Sequence, residues 1–183
     1  MAVAFPNTIE TERLLLRRYR WSDIDDLMEY AVLKEWSRYI RAPYPYSRVN
    51  AQEFLADRVG LSRQDQTVWC LEYKGKMIGD VGFAWHTKNG AGEIAYGISP
   101  PYWKQGLMTE ACLSALNTVF GVDEKLNRIF AAIDARNKGS IQVAGKLGMQ
   151  REGLLRKNRF HKGEFVDDAW YAILRADWMA LST

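Results

Sequence analysis

The sequence is poor in the residues that build metal sites. It contains two cysteines, Cys70 and Cys112, and two histidines, His86 and His161. Neither cysteine has a partner at the spacing of a zinc site, and no CxxC or HxxxH pattern is present. We therefore predict no metal site, and we interpret both cysteines, one in a predicted strand and one in a predicted helix, as buried thiols.

Long apolar runs are also missing. The run from Ile129 to Ile133 is far shorter than the roughly 20 residues that a membrane-spanning helix needs. The first residues, Met1 to Asn7, lack the basic start, the apolar stretch and the small-residue cleavage site of a secretory signal. The sequence thus predicts a cytoplasmic protein that does not cross a membrane.

No segment concentrates charge of one sign. The net charge is only +3, and the lysines and arginines are spread along the chain. A nucleic-acid binder typically carries a dense basic block or stripe. Nucleic acid is therefore not an expected partner.

What the sequence does contain is the composition of a folded globular protein. It has 183 residues, of which 48% are hydrophobic and 26% charged. No repeat, low-complexity tract or linker divides it, and a chain of this size buries roughly 70% of its unfolded surface. We predict a single domain over residues 1–183.

Hydrophobic periodicity predicts an α/β fold with the element order βααβββαβαββ. Ser22 or Asp23 is placed to begin the first helix, and Ser47 to begin the second. Asn89-Gly90 and Lys162-Gly163 are typical of hairpin turns. The predicted strands are Arg13–Tyr19, Thr67–Tyr73, Met77–Trp85, Glu93–Ser99, Arg128–Asp134, Gln150–Phe160 and Phe165–Leu174, and the later helices are Met108–Phe120 and Ser140–Leu147.

The segment from Ser99 to Ala111 joins a strand to a helix through a loop that contains Gly106. A helix start leaves backbone N–H groups free and carries partial positive charge, so it is able to hold a pyrophosphate. On spacing alone an ordinary strand-to-helix connection is the better interpretation, because a single glycine is weak evidence.

The wider sequence resembles the GNAT superfamily of N-acetyltransferases, specifically its RimJ/RimL-type branch. The resemblance rests on Tyr102-Trp103-x-x-Gly106-x-x-Thr109-Glu110-Ala111, and it extends over nearly the whole chain. The first strand Thr11–Arg17, the strand Glu93–Ile98, and the pair of segments Asn137–Ser140 and Lys146–Met149 match the branch in order and spacing.

This resemblance implies a mixed, mainly antiparallel sheet of seven strands, flanked by about four helices and splayed between its fourth and fifth strands. It implies acetyl-coenzyme A as co-substrate, without a metal, and direct attack by an amine with no covalent enzyme intermediate. The residues that it assigns to coenzyme binding are Ile98, Lys104, Gln105, Gly106, Leu107, Met108, Thr109 and Asn137. Trp103 and Met108 depart from the superfamily's usual pattern, which has Gln or Arg and a small residue at these positions.

Catalytic roles follow from the same resemblance. Many members place a tyrosine seven residues after the asparagine to protonate the leaving thiolate, but Ala144 stands there in this chain. Ser140 or a bound water is then the candidate donor, and Asn137 is expected either to bind the pantetheine arm or only to cap a helix. Glu93 is the candidate base that deprotonates the amine; the alternative is that it is only a solvated charge at a strand edge. A backbone N–H near Ile98 is expected to stabilise the oxyanion of the tetrahedral intermediate.

Aromatic residues cluster in the loop between the first two helices, namely Trp36, Tyr39, Tyr44 and Tyr46. They either line the acceptor side of the site or form a hydrophobic plug over the helices. The acceptor itself is left open between a protein N-terminus and a small amine such as a polyamine, an amino acid or an antibiotic, and a homodimer is compatible with the sequence. The main alternative to an enzyme is an acyl-coenzyme A sensor that has lost catalysis; a binding protein without coenzyme is a third interpretation.

Overall fold

A computed structural model describes residues 4–60, 66–86 and 89–181. One sheet of eight strands runs through the molecule in the order β1-β2-β3-β4-β5-β6-β8-β7. Neighbouring strands are antiparallel except β5 and β6, which are parallel. The strands are β1 Thr8–Glu10, β2 Leu15–Arg17, β3 Gln66–Tyr73, β4 Lys76–His86, β5 Ala91–Ile98, β6 Arg128–Asp134, β7 Gln150–His161 and β8 Glu164–Leu174.

Helices cover both faces of this sheet. Within the described residues they are α1 Ile24–Ala31, α2 Lys34–Ser37, α3 Arg48–Arg58, α4 Leu107–Val122, α5 Lys138–Lys146 and α6 Arg175–Leu181. The predicted class and the mixed, mainly antiparallel sheet are confirmed. The counts differ, with eight strands rather than seven and six described α-helices rather than about four.

The elements that the sequence analysis missed are short and lack a periodic signal. Strand β1 has three residues, two of them exposed, and it pairs at the edge of the sheet with β2. Helix α2 is a single turn inside the predicted loop. Helix α6 depends on distant contacts, because the guanidinium of Arg175 donates to the carbonyl oxygens of Leu126 and Phe120 at 2.7 and 2.9 Å.

Capping and amphipathicity explain the longer helices. The Ser47 hydroxyl accepts a hydrogen bond from the Asn50 backbone N–H at 3.2 Å, which fixes the start of α3 as predicted. Helix α4 buries one stripe against the sheet, made by Met108, Ala111, Cys112, Ala115, Leu116 and Val119. Cys70 on β3 and Cys112 on α4 are both buried free thiols, as predicted.

Two separate apolar clusters lie on the two faces of the sheet. The larger one packs α4 and α5 against the sheet and contains Trp69, Phe83 and Ile129. The smaller one packs α1 and α3 against the opposite face and contains Leu27, Leu55 and Met77. The central strands therefore separate two differently lined sides of the molecule.

The sheet splays between β5 and β6. These strands pair only through Ala91–Arg128, Gly92–Ile129 and Glu93–Phe130, after which they diverge. Gly92 permits the close packing at the point of the V, because a Cβ there would lie 2.8 Å from the Trp85 ring and 2.9 Å from the Ile129 Cδ1. The predicted splay is thus present, and it opens toward Ile98 and Asp134.

Candidate active site

The loop that leads into α4 has the geometry of an anion cradle. Lys104 and Gly106 have φ angles of 60° and 80°, and the Gly106 carbonyl accepts from Glu110 as the helix begins. Because the first N–H groups of a helix have no intrahelical partner, those of Leu107 and Thr109 remain available at this end. The loop is therefore suited to a pyrophosphate.

Trp103 and Met108, which depart from the usual pattern of the superfamily, both have structural explanations. The Trp103 indole Nε1 donates to the Ile98 carbonyl at 2.9 Å, so it ties the loop to the end of β5. Met108 is buried and its sulfur lies 3.5 Å from the Cys112 thiol. Its bulk therefore points into the core, away from the backbone N–H groups at the helix start.

A charged contact holds the loop from outside. The Arg13 Nη1 donates to the Gln105 carbonyl at 3.0 Å, and the Arg13 Nε pairs with Glu110 at 2.6 Å. A Cβ at Gly106 would lie 3.4 Å from the Arg13 Nη2. The guanidinium thus lies beside the cradle, although the sequence analysis did not single it out.

The start of α5 lies on the other arm of the V. The Asn137 Oδ1 accepts from the Ser140 backbone N–H at 3.1 Å, so Asn137 does cap α5. The Tyr96 hydroxyl on β5 donates to the Ser140 carbonyl at 2.8 Å. This hydrogen bond joins β5 to α5 across the open part of the V.

A cavity of about 810 Å³ lies at the splay and extends to the α1–α3 side of the sheet. Five of the predicted site residues line it, namely Glu93, Asn137, Ser140, Trp36 and Tyr39. Tyr44 and Ile98 are not among its lining residues, nor are Lys104 to Thr109, and the Tyr44 side chain is 47% exposed. The structure therefore brings the two predicted catalytic side chains into one cavity with part of the aromatic cluster.

Glu93 lies on the cavity wall at the point where the pairing of β5 with β6 ends. The residue is partly buried, and its side chain makes no hydrogen bond or ion pair with any residue that the structure describes. Its carboxylate is consequently available to a ligand in the cavity.

Asp80 is a second carboxylate in the cavity, and the sequence analysis missed it. It faces the α1–α3 side from the middle of β4, and its Oδ2 accepts from the Tyr19 hydroxyl at 2.8 Å. Burial raises the pKa of Asp80, while the positive charge of Arg58 and the Tyr19 hydrogen bond oppose that shift. The sequence signal that could have identified Asp80 is its charge within the otherwise apolar run Met77–Trp85.

An ion-pair network closes the far wall. Asp134 is the last residue of β6, at its open end, and it is bonded by Arg136, at 2.8 Å between Nη2 and Oδ2. Arg159 pairs with Asp168 at 2.9 Å and lies 3.9 Å from Asp134. Burial alone would raise the pKa of Asp134, but the hydrogen bonds from Arg136 and the charge of Arg159 lower it.

The loop that carries Trp36 and Tyr39 is fastened to the β7–β8 hairpin. The His161 Nε2 lies 3.0 Å from the Arg38 carbonyl, and the Lys162 ammonium donates to the Ser37 carbonyl. These bonds link residues more than a hundred positions apart and hold the aromatic loop over the cavity.

The part of the chain that the structure describes contains neither a grouping of metal ligands nor a helix of membrane-spanning length and apolarity. Among residues 4–60, 66–86 and 89–181, no three His, Cys, Asp or Glu side chains are grouped so as to hold a metal ion. Within the same ranges, no helix combines the length and apolar character that a membrane crossing requires.

Comparison with known proteins gives a consistent set of matches. The family profile described as "Acetyltransferase (GNAT) domain" matches residues 13–150. An uncharacterised N-acetyltransferase of Bacillus licheniformis, p20, is 29% identical over 93% of this chain and 98% of its own. The crystal structure of a GNAT-family acetyltransferase from Bacillus anthracis is 27% identical with a TM-score of 0.82, covering 92% of this chain and 99% of its own.

A more distant structure extends the likeness of fold. RimJ of Mycobacterium smegmatis, solved in complex with a coenzyme A disulfide, has a TM-score of 0.82 at 18% identity, covering 100% of this chain and 98% of its own. At that identity the comparison concerns the fold alone.

Proposed function

Since this chain belongs to the GNAT acetyltransferase family and is an N-acetyltransferase, we propose that it transfers the acetyl group of acetyl-coenzyme A directly to a primary amine held in the cavity at the splay of the sheet. The observation that carries the proposal is the separation of β5 from β6 after three residue pairs, with one cavity reaching from Asn137 and Ser140 to Glu93 and Trp36.

The residues present fit acetyl-coenzyme A. The left-handed backbone at Gly106 and the free N–H groups of α4 suit its pyrophosphate, and the V between β5 and β6 gives room for an extended arm. The coenzyme A disulfide bound to the structurally similar RimJ supports this interpretation. When bound, the co-substrate supplies an activated acetyl group.

Glu93 has the clearest task in this reaction. An alkylamine is mostly protonated near neutral pH and must lose a proton before its nitrogen attacks a carbonyl carbon. A carboxylate that has no other partner among the described residues, at the point of the V, accepts that proton directly or through one water. The neutral nitrogen then attacks the acetyl carbon. As the new C–N bond forms and the C–S bond breaks, the nitrogen loses its second proton, which balances the proton that the departing thiolate takes up.

Proton donation to the sulfur falls to Ser140 or to water. Ser140 lines the cavity at the start of α5, and its carbonyl is held by Tyr96. A thiol has a pKa near 8.5, so the departing thiolate needs only modest assistance. The partial positive charge at the start of α5 favours the same thiolate.

Release of free thiol from acetyl-coenzyme A, measured across amino acids, polyamines, peptides and antibiotics, tests the proposal. We expect turnover with one acceptor class and a loss of roughly 100-fold or more in kcat for Glu93→Gln, with Glu124→Gln, at an exposed site, as the matched control. Absence of thiol release with every acceptor would contradict the proposal and favour a coenzyme-binding sensor. Full activity of Glu93→Gln would contradict only the assignment of the base.

A further inference from the structure

Glu93 and Asp80 lie on one face of the sheet, some distance apart on the floor of the cavity. Strands β4 and β5 pair Ala84 with Glu93 and Asp80 with Gly97. Directly paired residues of adjacent strands share a face, and side chains alternate between the two faces along each strand. Because Glu93 and Gly97 are four residues apart on β5, both carboxylates are on the same face, and both line the cavity.

Small residues occupy the strip of this face between the two carboxylates. The backbone positions of Glu93 and Gly97 are about 13 Å apart along β5, at roughly 3.3 Å a residue. An extended chain of about nine to eleven covalent bonds covers that distance at ~1.2 Å per bond. The residues of the strip, all of which line the cavity, are Gly82, Ala84, Ala95 and Gly97.

The charged residues that line the cavity leave an excess of negative charge. Ion pairs already neutralise four of them, namely Asp134, Asp168, Arg159 and Arg58. Within the described part of the chain the other four have no ion-pair partner, and they are Glu53, Asp80, Glu93 and Arg41. Three carboxylates thus remain against one exposed guanidinium, and such a cavity attracts a cation more strongly than an anion.

Asp80 has one free oxygen at its end of the strip. The Oδ2 accepts from the Tyr19 hydroxyl at 2.8 Å, while the Oδ1 accepts no hydrogen bond from any described residue. A Cβ built on Gly97 would lie 3.8 Å from this Oδ1, so the space above the glycine leads to it. Arg58 contributes positive charge nearby, but it forms no ion pair with Asp80 and is itself paired with Asp57 at 3.2 Å. The Oδ1 is therefore available to a donor on a ligand.

Aromatic side chains lie at the same end of the cavity. Trp36 packs edge-on against Tyr30 and Tyr46, at 5.1 and 6.0 Å between centroids, and all three line the cavity. The Trp36 indole Nε1 would lie 4.0 Å from the same Cβ on Gly97, which places the indole beside Asp80. Aromatic rings attract cations, and more strongly where the cation is desolvated. A carboxylate among aromatic rings therefore suits an ammonium group.

We propose that the acceptor is a linear polyamine, whose reacting amine lies at Glu93 and whose far ammonium group is bound by Asp80. This inference rests on the proposed function, since it names the substrate class of the same site. The chain between the two nitrogens lies over the small residues of β4 and β5. A partly buried carboxylate without a counter-ion is costly, and the far ammonium offsets that cost, whereas an amine with a single charge does not.

Matched pairs of a terminal diamine and a monoamine of the same chain length test the second charge. The pairs are diaminobutane with butylamine, diaminohexane with hexylamine, and diaminooctane with octylamine; spermidine has the same number of bonds between its terminal nitrogens as diaminooctane. With saturating acetyl-coenzyme A, we expect kcat/KM for diaminooctane and spermidine to exceed that for octylamine about tenfold or more. The advantage of the diamine should be smaller in the butane pair, because diaminobutane is too short to reach Asp80 from Glu93.

A single substitution isolates the contact with the far ammonium. Asp80→Asn is expected to lower kcat/KM for diaminooctane about tenfold and to leave that for octylamine within about twofold of wild type. Asp25→Asn, at an exposed site on α1, is the control that should keep the wild-type preference for the diamine. Thermal melts verify that both variants are folded.

The outcomes are distinguishable from those of the proposed function. Best turnover with a monoamine, an amino acid, a peptide or a branched aminoglycoside overturns this inference and leaves acetyl transfer intact. An equal loss with diaminooctane and octylamine in Asp80→Asn also overturns it, because the carboxylate would then act only on the structure.

If no amine releases thiol, the proposed function fails, and calorimetry decides this inference separately. Diaminooctane and octylamine are then titrated into the protein in the presence of coenzyme A. Tighter binding of diaminooctane that is lost in Asp80→Asn supports the inference, and equal binding of the two amines, or no binding, overturns it.

Discussion

Arg13 and Glu110 form an ion pair at 2.6 Å across 97 positions of sequence, beside the loop that leads into α4. The second oxygen of Glu110 accepts from the Arg13 backbone N–H at 2.8 Å and from the Thr11 hydroxyl at 2.6 Å. These contacts lower the pKa of Glu110 against the effect of its burial. The segment before β2 is thereby attached to the first turn of α4.

Arg13→Ala is expected to weaken coenzyme binding more than stability. The Arg13 side chain is 39% exposed, so loss of the ion pair costs only about 0–1 kcal/mol of unfolding free energy. Loss of its bond to the Gln105 carbonyl frees the loop, and we expect KM for acetyl-coenzyme A to rise about fivefold or more. Steady-state kinetics measure KM for acetyl-coenzyme A, and Arg48→Ala is the control that should leave it unchanged. Equal KM values in the two variants would refute the role of Arg13.

Gly92→Ala is expected to destabilise the point of the V. The added methyl would lie under 3 Å from the Trp85 ring and the Ile129 Cδ1, and overpacking of this kind costs about 1–3 kcal/mol. Gly121→Ala is the matched control, because it lies in α4 with no atom within 4 Å of the new Cβ and should gain about 0.4–1 kcal/mol. Urea unfolding of both variants gives their free energies of unfolding. An unchanged free energy in Gly92→Ala would show that the packing at the point of the V rearranges to accept the methyl group.

Asp80→Asn is expected to raise the melting temperature at neutral pH. Burial raises the pKa of Asp80 in the folded state, so folding favours its protonated form. This carboxylate therefore destabilises the protein increasingly as the pH rises from the ordinary aspartate range toward its folded pKa, and the asparagine variant avoids that cost.

The gain in melting temperature should shrink as the pH falls from the folded pKa of Asp80 toward about 4, and it should vanish below that, where Asp80 is protonated in both folded and unfolded states. Melts of wild type and variant from pH 3 to 8 check this dependence. If the difference in melting temperature between wild type and variant were constant from pH 3 to 8, it would indicate an effect of packing and not of the titration of Asp80.

His161→Ala is expected to loosen the aromatic loop. His161 is buried and its Nε2 meets the Arg38 carbonyl at 3.0 Å, which helps to hold Trp36 and Tyr39 at the cavity. We expect KM for the acceptor to rise about fivefold or more, with little change in KM for acetyl-coenzyme A. His161→Gln, which keeps a side-chain donor, should restore part of the loss; an equal rise in both KM values would argue for general destabilisation.

Local patterns accounted for the elements that are long or well capped. Strand β6 has the predicted bounds Arg128–Asp134. Helix α3 begins after Ser47, and the turn at Lys162-Gly163 joins β7 to β8. In each case the signal lies within a few residues of sequence, in a cap, a hairpin turn or an apolar run.

Family resemblance supplied the candidate site, and the fold brought a part of it together. Glu93, Ser140 and Asn137 share one cavity with Trp36 and Tyr39. Their catalytic and binding roles stay predictions, as does the interpretation of the aromatic cluster as acceptor wall. The same cavity contains Asp80 and Arg58, which no motif in the sequence marks.

The sequence by itself determined the family, the class of fold and the position of the loop before α4, because these depend on motifs and periodicities that are local along the chain. Tertiary structure alone decided that Arg13 reaches the loop, that His161 fastens the aromatic segment, and that Asp80 and Arg58 line one cavity. Those contacts join residues brought together by sheet register and helix packing, so the charge lining the cavity is a property of the assembled fold.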